Sequence, residues 1–213
     1  MDNWLEKGSA HSDRVIVVSG GPSTDWKHLK RLSRNKDTRI VCVKHSYPNL
    51  LANGIQPWAC VILDPRPLSG KSTHGIIRKN LFKKVDPYTI FFLASMTNPS
   101  VTRLLKKQGA TVWGWHAFSD TLRAEKDKKK PVVDNTINVA DKFDIPSDTT
   151  FITGGTCAAM RAIGMMHVLG FRTFDLFGYD CIIPEPSKKD KKKKEKDGRP
   201  KFMNVTVDDS KFW

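Results

Sequence analysis

Arg14–Ser23 reads RVIVVSGGPS, and the fold expectation grows out of this stretch. A short β-branched run leads straight into a glycine pair, with no polar alternation inside it. A strand buried on both faces of a parallel sheet has that pattern. Ser23-Thr24-Asp25 then offers a helix N-cap, and Trp26, Leu29 and Leu32 recur at helical spacing. The opening unit is therefore strand, glycine turn, helix.

Similar units follow along the chain. Arg39–Val43, Trp58–Leu63, Thr89–Leu93, Ala110–Trp113, Thr149–Ile152 and Thr173–Phe177 predict further strands. A short helix is predicted around Leu50, Leu51 and Ile55, stopping at Asn53-Gly54. Others are predicted over His74–Phe82, over Pro99–Lys107, and from Gly154-Gly155-Thr156 to about Leu169. Gly114–Ser147 reads as irregular. Alternating strands and helices predict an α/β fold, a three-layer Rossmann-like sandwich around a mostly parallel sheet. One α/β domain is expected over residues 1–213, with a core from about 14 to 180, a Lys-rich loop at 187–201 and a partial hairpin at 202–213. The hairpin pattern breaks off at Phe212-Trp213, so a truncated chain is expected.

Composition limits the function classes. The 213 residues are 39% hydrophobic and 27% charged, which argues against a wholly disordered chain. No apolar run approaches the roughly 20 residues that span a bilayer, so no membrane partner is expected. Met1–Ala10 lacks the apolar region of a secretory leader. Cys42, Cys60, Cys157 and Cys181 show no metal-ligand spacing, and buried thiols in a reducing cytoplasm are expected. The net charge of +14 is concentrated: Lys188–Lys201 contributes +6 and Arg123–Lys130 +3. Neither run carries an aromatic residue, so solvated loops are expected rather than a nucleic-acid surface.

In a doubly wound sheet, ligands bind beyond the carboxyl ends of the strands. The residues just past each strand are therefore the candidates. Ser19, Gly20, Gly21, Pro22 and Ser23 follow the first strand. Pro22 has no N–H, so a phosphate cradle there would use the N–H groups of Gly20, Gly21, Ser23 and Thr24. The loop could equally be a plain strand–helix turn. It is not GxGxxG, which argues against nicotinamide and flavin dinucleotides. Gly154, Gly155 and Thr156 form a second glycine-rich helix start after a strand. Asp64, with Arg66 nearby, could ligate Mg²⁺ or cap a turn. Asp180 could share that metal, hold a sugar hydroxyl or serve the turn. His45 beside Lys44 is a candidate phosphate contact; His74 and His116 are weaker ones, and His28 and His167 read as helix residues. Gly70-Lys71-Ser72 ends like a Walker A loop, but Pro65 stands where its first glycine belongs.

Three stretches together carry a resemblance: Val15–Ser23 (VIVVSGGPS), Asn53–Pro65 (NGIQPWACVILDP), and Thr153–Asp180 with its TGGT start and its LGFRTFDLFGYD end. They resemble the MptE-like family, named for archaeal 6-hydroxymethylpterin diphosphokinase. The same domain is shared with flagellin-glycosylating motility accessory factors and is similar in fold to bacterial sialyltransferases. The resemblance spans roughly Arg14–Asp180 and implies a nucleotide-dependent transferase. Its first implied reaction is Mg²⁺-assisted transfer of pyrophosphate from ATP to a hydroxymethyl group on a small acceptor. A glycosyltransferase using a CMP-activated or other nucleotide sugar is the alternative, with a histidine as general base. A non-catalytic ligand- or nucleic-acid-binding module is a third reading. The resemblance implies nucleotide contacts from the Ser19–Ser23 loop and phosphate or sugar contacts from the Gly-Gly-Thr helix start. The two Lys-rich insertions depart from the family pattern.

Overall fold

Most strands of the main sheet are short apolar runs whose alternate side chains enter two different cores. A computed structural model describes residues 6–69, 76–118, 149–154 and 157–180. In chain order the elements are β1 (Arg14–Val18), α1 (Trp26–Leu32), β2 (Arg39–Val43), α2 (Tyr47–Ala52), β3 (Ala59–Ile62), β4 (Leu68–Ser69), β5 (Ile77–Arg78), a 3-10 turn (Lys79–Phe82), β6 (Ile90–Ala94), α3 (Pro99–Lys107), β7 (Thr111–Ala117), β8 (Phe151–Ile152), α4 (Ala158–Val168) and β9 (Thr173–Phe177).

Seven strands form one sheet in the order β8-β7-β6-β3-β2-β1-β9. Every pairing within it is parallel. Ile16, Val18, Ile40, Cys42, Cys60 and Ile62 pack on one face with Leu29 of α1, Leu50 of α2 and Leu105 of α3. Val15, Val17, Val41, Ala59 and Val61 pack on the other with Ala162, Met165 and Met166 of α4. This is the expected three-layer α/β sandwich. From β1 the chain steps outward through β2, β3, β6, β7 and β8, then crosses back to place β9 on the other side of β1. The order reverses at the β1/β9 crevice, where open α/β sheets hold ligands.

Several boundaries differ from the sequence reading. The predicted His74–Phe82 helix is instead a two-residue strand and a 3-10 turn over its described part. Ile77 is buried and pairs with Leu68 in a small second sheet, so tertiary pairing overrides the helical spacing. β7 continues through Gly114 to Ala117 because β6 and β8 supply its ladder partners. α4 starts at Ala158, after Cys157 at the N-cap position. Cys42 and Cys60 are buried as expected, whereas Cys157 is exposed. The Lys-rich loops, the 202–213 hairpin, Gly70-Lys71-Ser72, His74 and Cys181 lie outside the described residues. Among the described residues, no helix is long and apolar enough to cross a membrane.

Candidate active site

Because the sheet is wholly parallel, the carboxyl ends of all seven strands share one edge. Ser19–Ser23 after β1, His45 after β2, Asp64 after β3, Gly154 after β8 and Asp180 after β9 all lie there. Gly155 and Thr156 lie outside the described residues.

The glycine loop is tied to the end of β9. Gly21 N–H donates to the Gly178 carbonyl at 3.0 Å, and Ser19 N–H to Phe177 O at 2.8 Å. The Asp180 carboxylate accepts from Ser23 N–H at 2.9 Å and from the Ser23 hydroxyl. A Cβ on Gly21 would stand 2.3 Å from Asp180 Oδ2 and 2.4 Å from Gly178 O. The protein's own chain therefore makes the close approach that glycine permits here. At the start of α1, the Asp25 carboxylate accepts from Lys27 and His28 N–H, so the first turn already holds an anion. The His28 and Lys27 N–H bonds, opposed by desolvation, keep the Asp25 pKa below its ordinary value. Of the four N–H groups in the expected cradle, those of Gly21 and Ser23 are engaged internally. Gly20 is the open position: a Cβ there would meet only the Cβ of His45, at 3.6 Å.

The strongest electrostatic feature lies one strand over. Asp64 is 2% exposed. Arg66 grips it through Nε at 2.7 Å and Nη2 at 2.6 Å, and the Arg66 N–H adds a third bond at 3.0 Å. The buried Lys44 ammonium contacts the same carboxylate. Two cations on one carboxylate leave this cluster with a net positive charge. Burial first, then the Arg66 charge, pull the Lys44 pKa down to about 8; its contact with Asp64 works in the opposite direction. His45 is pushed down to about 4 by desolvation and then by the charges of Lys44, Arg66 and Arg78. The imidazole is neutral at pH 7 and sits in a positive field.

The same geometry tests the expected metal pair. Both oxygens of Asp64 are taken by cations, and Asp180 is taken by Ser23. As arranged, Asp64 and Asp180 do not fit a shared Mg²⁺, since a cation there would have to displace Lys44 and Arg66. Among the described residues, no group of three or more His, Cys, Asp or Glu is placed to hold a metal ion.

On the far side of the edge, Gly154 has φ +123°, and a Cβ there would press on the α4 backbone at Met160 and Arg161, 3.0 Å away. Helix packing therefore accounts for this glycine. Arg161 is 6% exposed and escaped the sequence reading. Its guanidinium donates to Phe118 O at 2.7 Å and to Ile152 O, tying the ends of β7 and β8 together. Arg78 escaped it as well. It lies in the two-residue β5, and nothing in the local sequence marks it. His116 lies within β7, with burial holding its pKa below the ordinary value. His28 and His167 lie in α1 and α4, as expected.

A family model described as 6-hydroxymethylpterin diphosphokinase MptE-like matches residues 2–185. The chain belongs to the MptE-like family. The match covers the whole seven-stranded sheet, including every strand end described above. Among curated proteins, none matches the chain. Among solved structures, this MptE-like chain is similar to the MAf glycosyltransferase from Magnetospirillum magneticum AMB-1, with 18% identity and a TM-score of 0.54. That match covers 86% of this chain and 26% of the other, so the chain spans about a quarter of that protein's length. The likeness shows a shared fold.

Proposed function

We propose that the carboxyl edge is the donor site of a nucleotide-dependent transferase, holding the donor's phosphates at the ends of β1, β2 and β3. One observation carries the reading: Lys44 and Arg66 converge on the single buried carboxylate of Asp64 at the ends of β2 and β3, with His45, next to Lys44, beside the open Gly20 position. Converging cations beside an accessible backbone N–H suit a polyphosphate. Family membership supports a transferase and makes pyrophosphate transfer from ATP to a hydroxymethyl acceptor the first reading.

In that reaction the acceptor hydroxyl oxygen attacks the β-phosphorus of ATP. The bond between that phosphorus and the oxygen bridging to the α-phosphate breaks, and AMP leaves with the bridging oxygen. Lys44, Arg66 and Arg78 would stabilise the charge that builds on the transferring and leaving groups. A bound polyphosphate would also reverse the field at His45 and raise its pKa towards neutrality, where a general base works best. His45 would then take the hydroxyl proton and pass it to solvent. Asp180 would keep the glycine loop in position. Mg²⁺, if the donor carries it, would arrive with the phosphates, since Asp64 is held by its two cations.

A second reading is favoured by the likeness to a glycosyltransferase fold and by the poor fit of Asp64 and Asp180 to a metal pair. The same cations would hold the diphosphate or monophosphate of a nucleotide sugar such as a CMP-linked one, with His45 as base. Phosphorus NMR on the protein with ATP and 6-hydroxymethylpterin separates the two. Formation of AMP and a pterin diphosphate supports the first. Release of CMP from a CMP-sugar in the presence of an acceptor, with ATP untouched, supports the second. No turnover of either donor, together with no binding of pyrophosphate, would overturn the site.

A further inference from the structure

At the opposite edge of the sheet, a cavity of about 420 Å³ opens where β2, β3 and β6 begin. Asn35, Lys36, Arg39, Gln56, Trp58 and Tyr88 are among its lining residues. Every strand is parallel, so this groove and the carboxyl edge lie at opposite ends of the sheet, and nothing assigned above uses it.

Its chemistry is specific. Trp58 is pinned from within by ring contacts with Phe92 and Phe171, 6.3 and 6.0 Å away. The Arg39 guanidinium lies over the Trp58 ring, 5.9 Å from its centroid, so one cation is fixed against an aromatic wall. Tyr88 is 78% exposed, and its backbone is held because its N–H donates to Asp86 at 2.8 Å. A large exposed ring on an anchored backbone is a stacking platform already paid for in loop entropy. No carboxylate among the described residues lies within ion-pair distance of Lys36 or Arg39, and no acidic residue lines the cavity. The Gln56 amide is oriented by its bond to Asp86 at 3.1 Å, which leaves its carbonyl oxygen as an acceptor. The C-terminal ends of α1 and α2 reach this edge with at most roughly half a negative charge each. The Asp86 carboxylate is engaged by the Gln56 amide and the Tyr88 N–H, so the phosphate is placed on the side of Arg39 and Lys36.

We propose that this groove is a second ligand site that takes a free mononucleotide-sized anion, its ring against Tyr88 and its phosphate on Arg39 and Lys36. The volume falls within the range of small-molecule sites, about 300–1,000 Å³. The amides of Asn35 and Gln56 supply hydrogen bonds for the polar edge of a base. The assignment is independent of the carboxyl-edge reading.

The test is titration of the full chain with AMP, followed by amide and indole NMR shifts and by calorimetry. AMP should shift Gly54 and the Trp58 indole. Tyr88→Ala and Arg39→Gln should each weaken this binding about tenfold, the scale of one base–aromatic stack, with the melting temperature unchanged. Both side chains are exposed, so the fold should tolerate the changes. Ribose 5-phosphate and adenosine should each bind about tenfold more weakly than AMP, because each lacks one of the two determinants. His45→Gln should leave the groove's shifts intact, which separates the groove from the carboxyl edge. Shifts confined to Gly20 and His45, or an affinity indifferent to both variants, would overturn the proposal. Tighter binding of a six-base single strand through the same residues would reassign the source of the ring and phosphate to a strand and overturn the free-nucleotide assignment.

Discussion

Lys44→Met isolates the charge cluster at the end of β3. The substitution keeps most of the side-chain stem, so packing changes little. It removes one of two cations from a carboxylate that is 3% exposed. A lone buried ion pair broken in this way costs about 3–5 kcal/mol. Here Arg66 still supplies three hydrogen bonds to Asp64, so only one charged contact is lost, worth about 2 kcal/mol. The expected drop in melting temperature is about 4–8 °C for a domain of this size. Asp64→Leu should cost more, because it leaves the Lys44 ammonium, only 10% exposed, beside Arg66 with no counter-charge. The double variant buries no charge at all, since Arg66 is 44% exposed and can turn to solvent. Its loss should fall at least about 1.5 kcal/mol short of the sum of the single losses, within the range for contacting residues. Urea unfolding followed by circular dichroism measures all three. If Lys44→Met costs less than about 0.5 kcal/mol, the level of ordinary surface changes, or the two losses simply add, the buried-cluster reasoning fails.

Three further outcomes are expected. In imidazole NMR, His45 should stay neutral until the pH falls to about 4, because its folded pKa is depressed; saturating pyrophosphate should raise that pKa, and an unmoved value would remove the anion from this site. Protonation of His45 in the unfolded chain makes its contribution to stability fall as pH drops from about 6.5 towards 4. Gly21→Ala should destabilise the fold by about 1–3 kcal/mol, as overpacking against Asp180 and Gly178 O does, while Gly20→Ala should leave the melt unchanged; equal effects at the two glycines would refute the assignment of their roles. Arg161→Met strips two carbonyls at the β7 and β8 ends of their donor, and a loss of about 2–3 kcal/mol is expected in urea unfolding.

The parallel sheet was legible in the sequence, since VIVV, IVCV and ACVI carry no polar alternation, and a strand covered on both faces needs none. That placed Ser19–Ser23, His45, Asp64 and Asp180 near strand ends before any strand was paired. The order of strands did not follow from those runs, because the patterns of β1 and β9 say nothing about which neighbour each will find. Only the crossover that sets β9 beside β1 brings Asp180 onto Ser23, 157 positions apart in the chain. Tertiary packing also decided what each candidate is free to do. Gly21 is a glycine because Gly178 and Asp180 crowd it, and Asp64 is held by Arg66 of its own loop and by Lys44 from the loop after β2. Arg161 and Arg78 carried no local signature, for each acts through groups that lie close only once the sheet has formed. Local pattern records whether a segment must be buried, whereas charge pairing and steric approach depend on distances that exist only after folding.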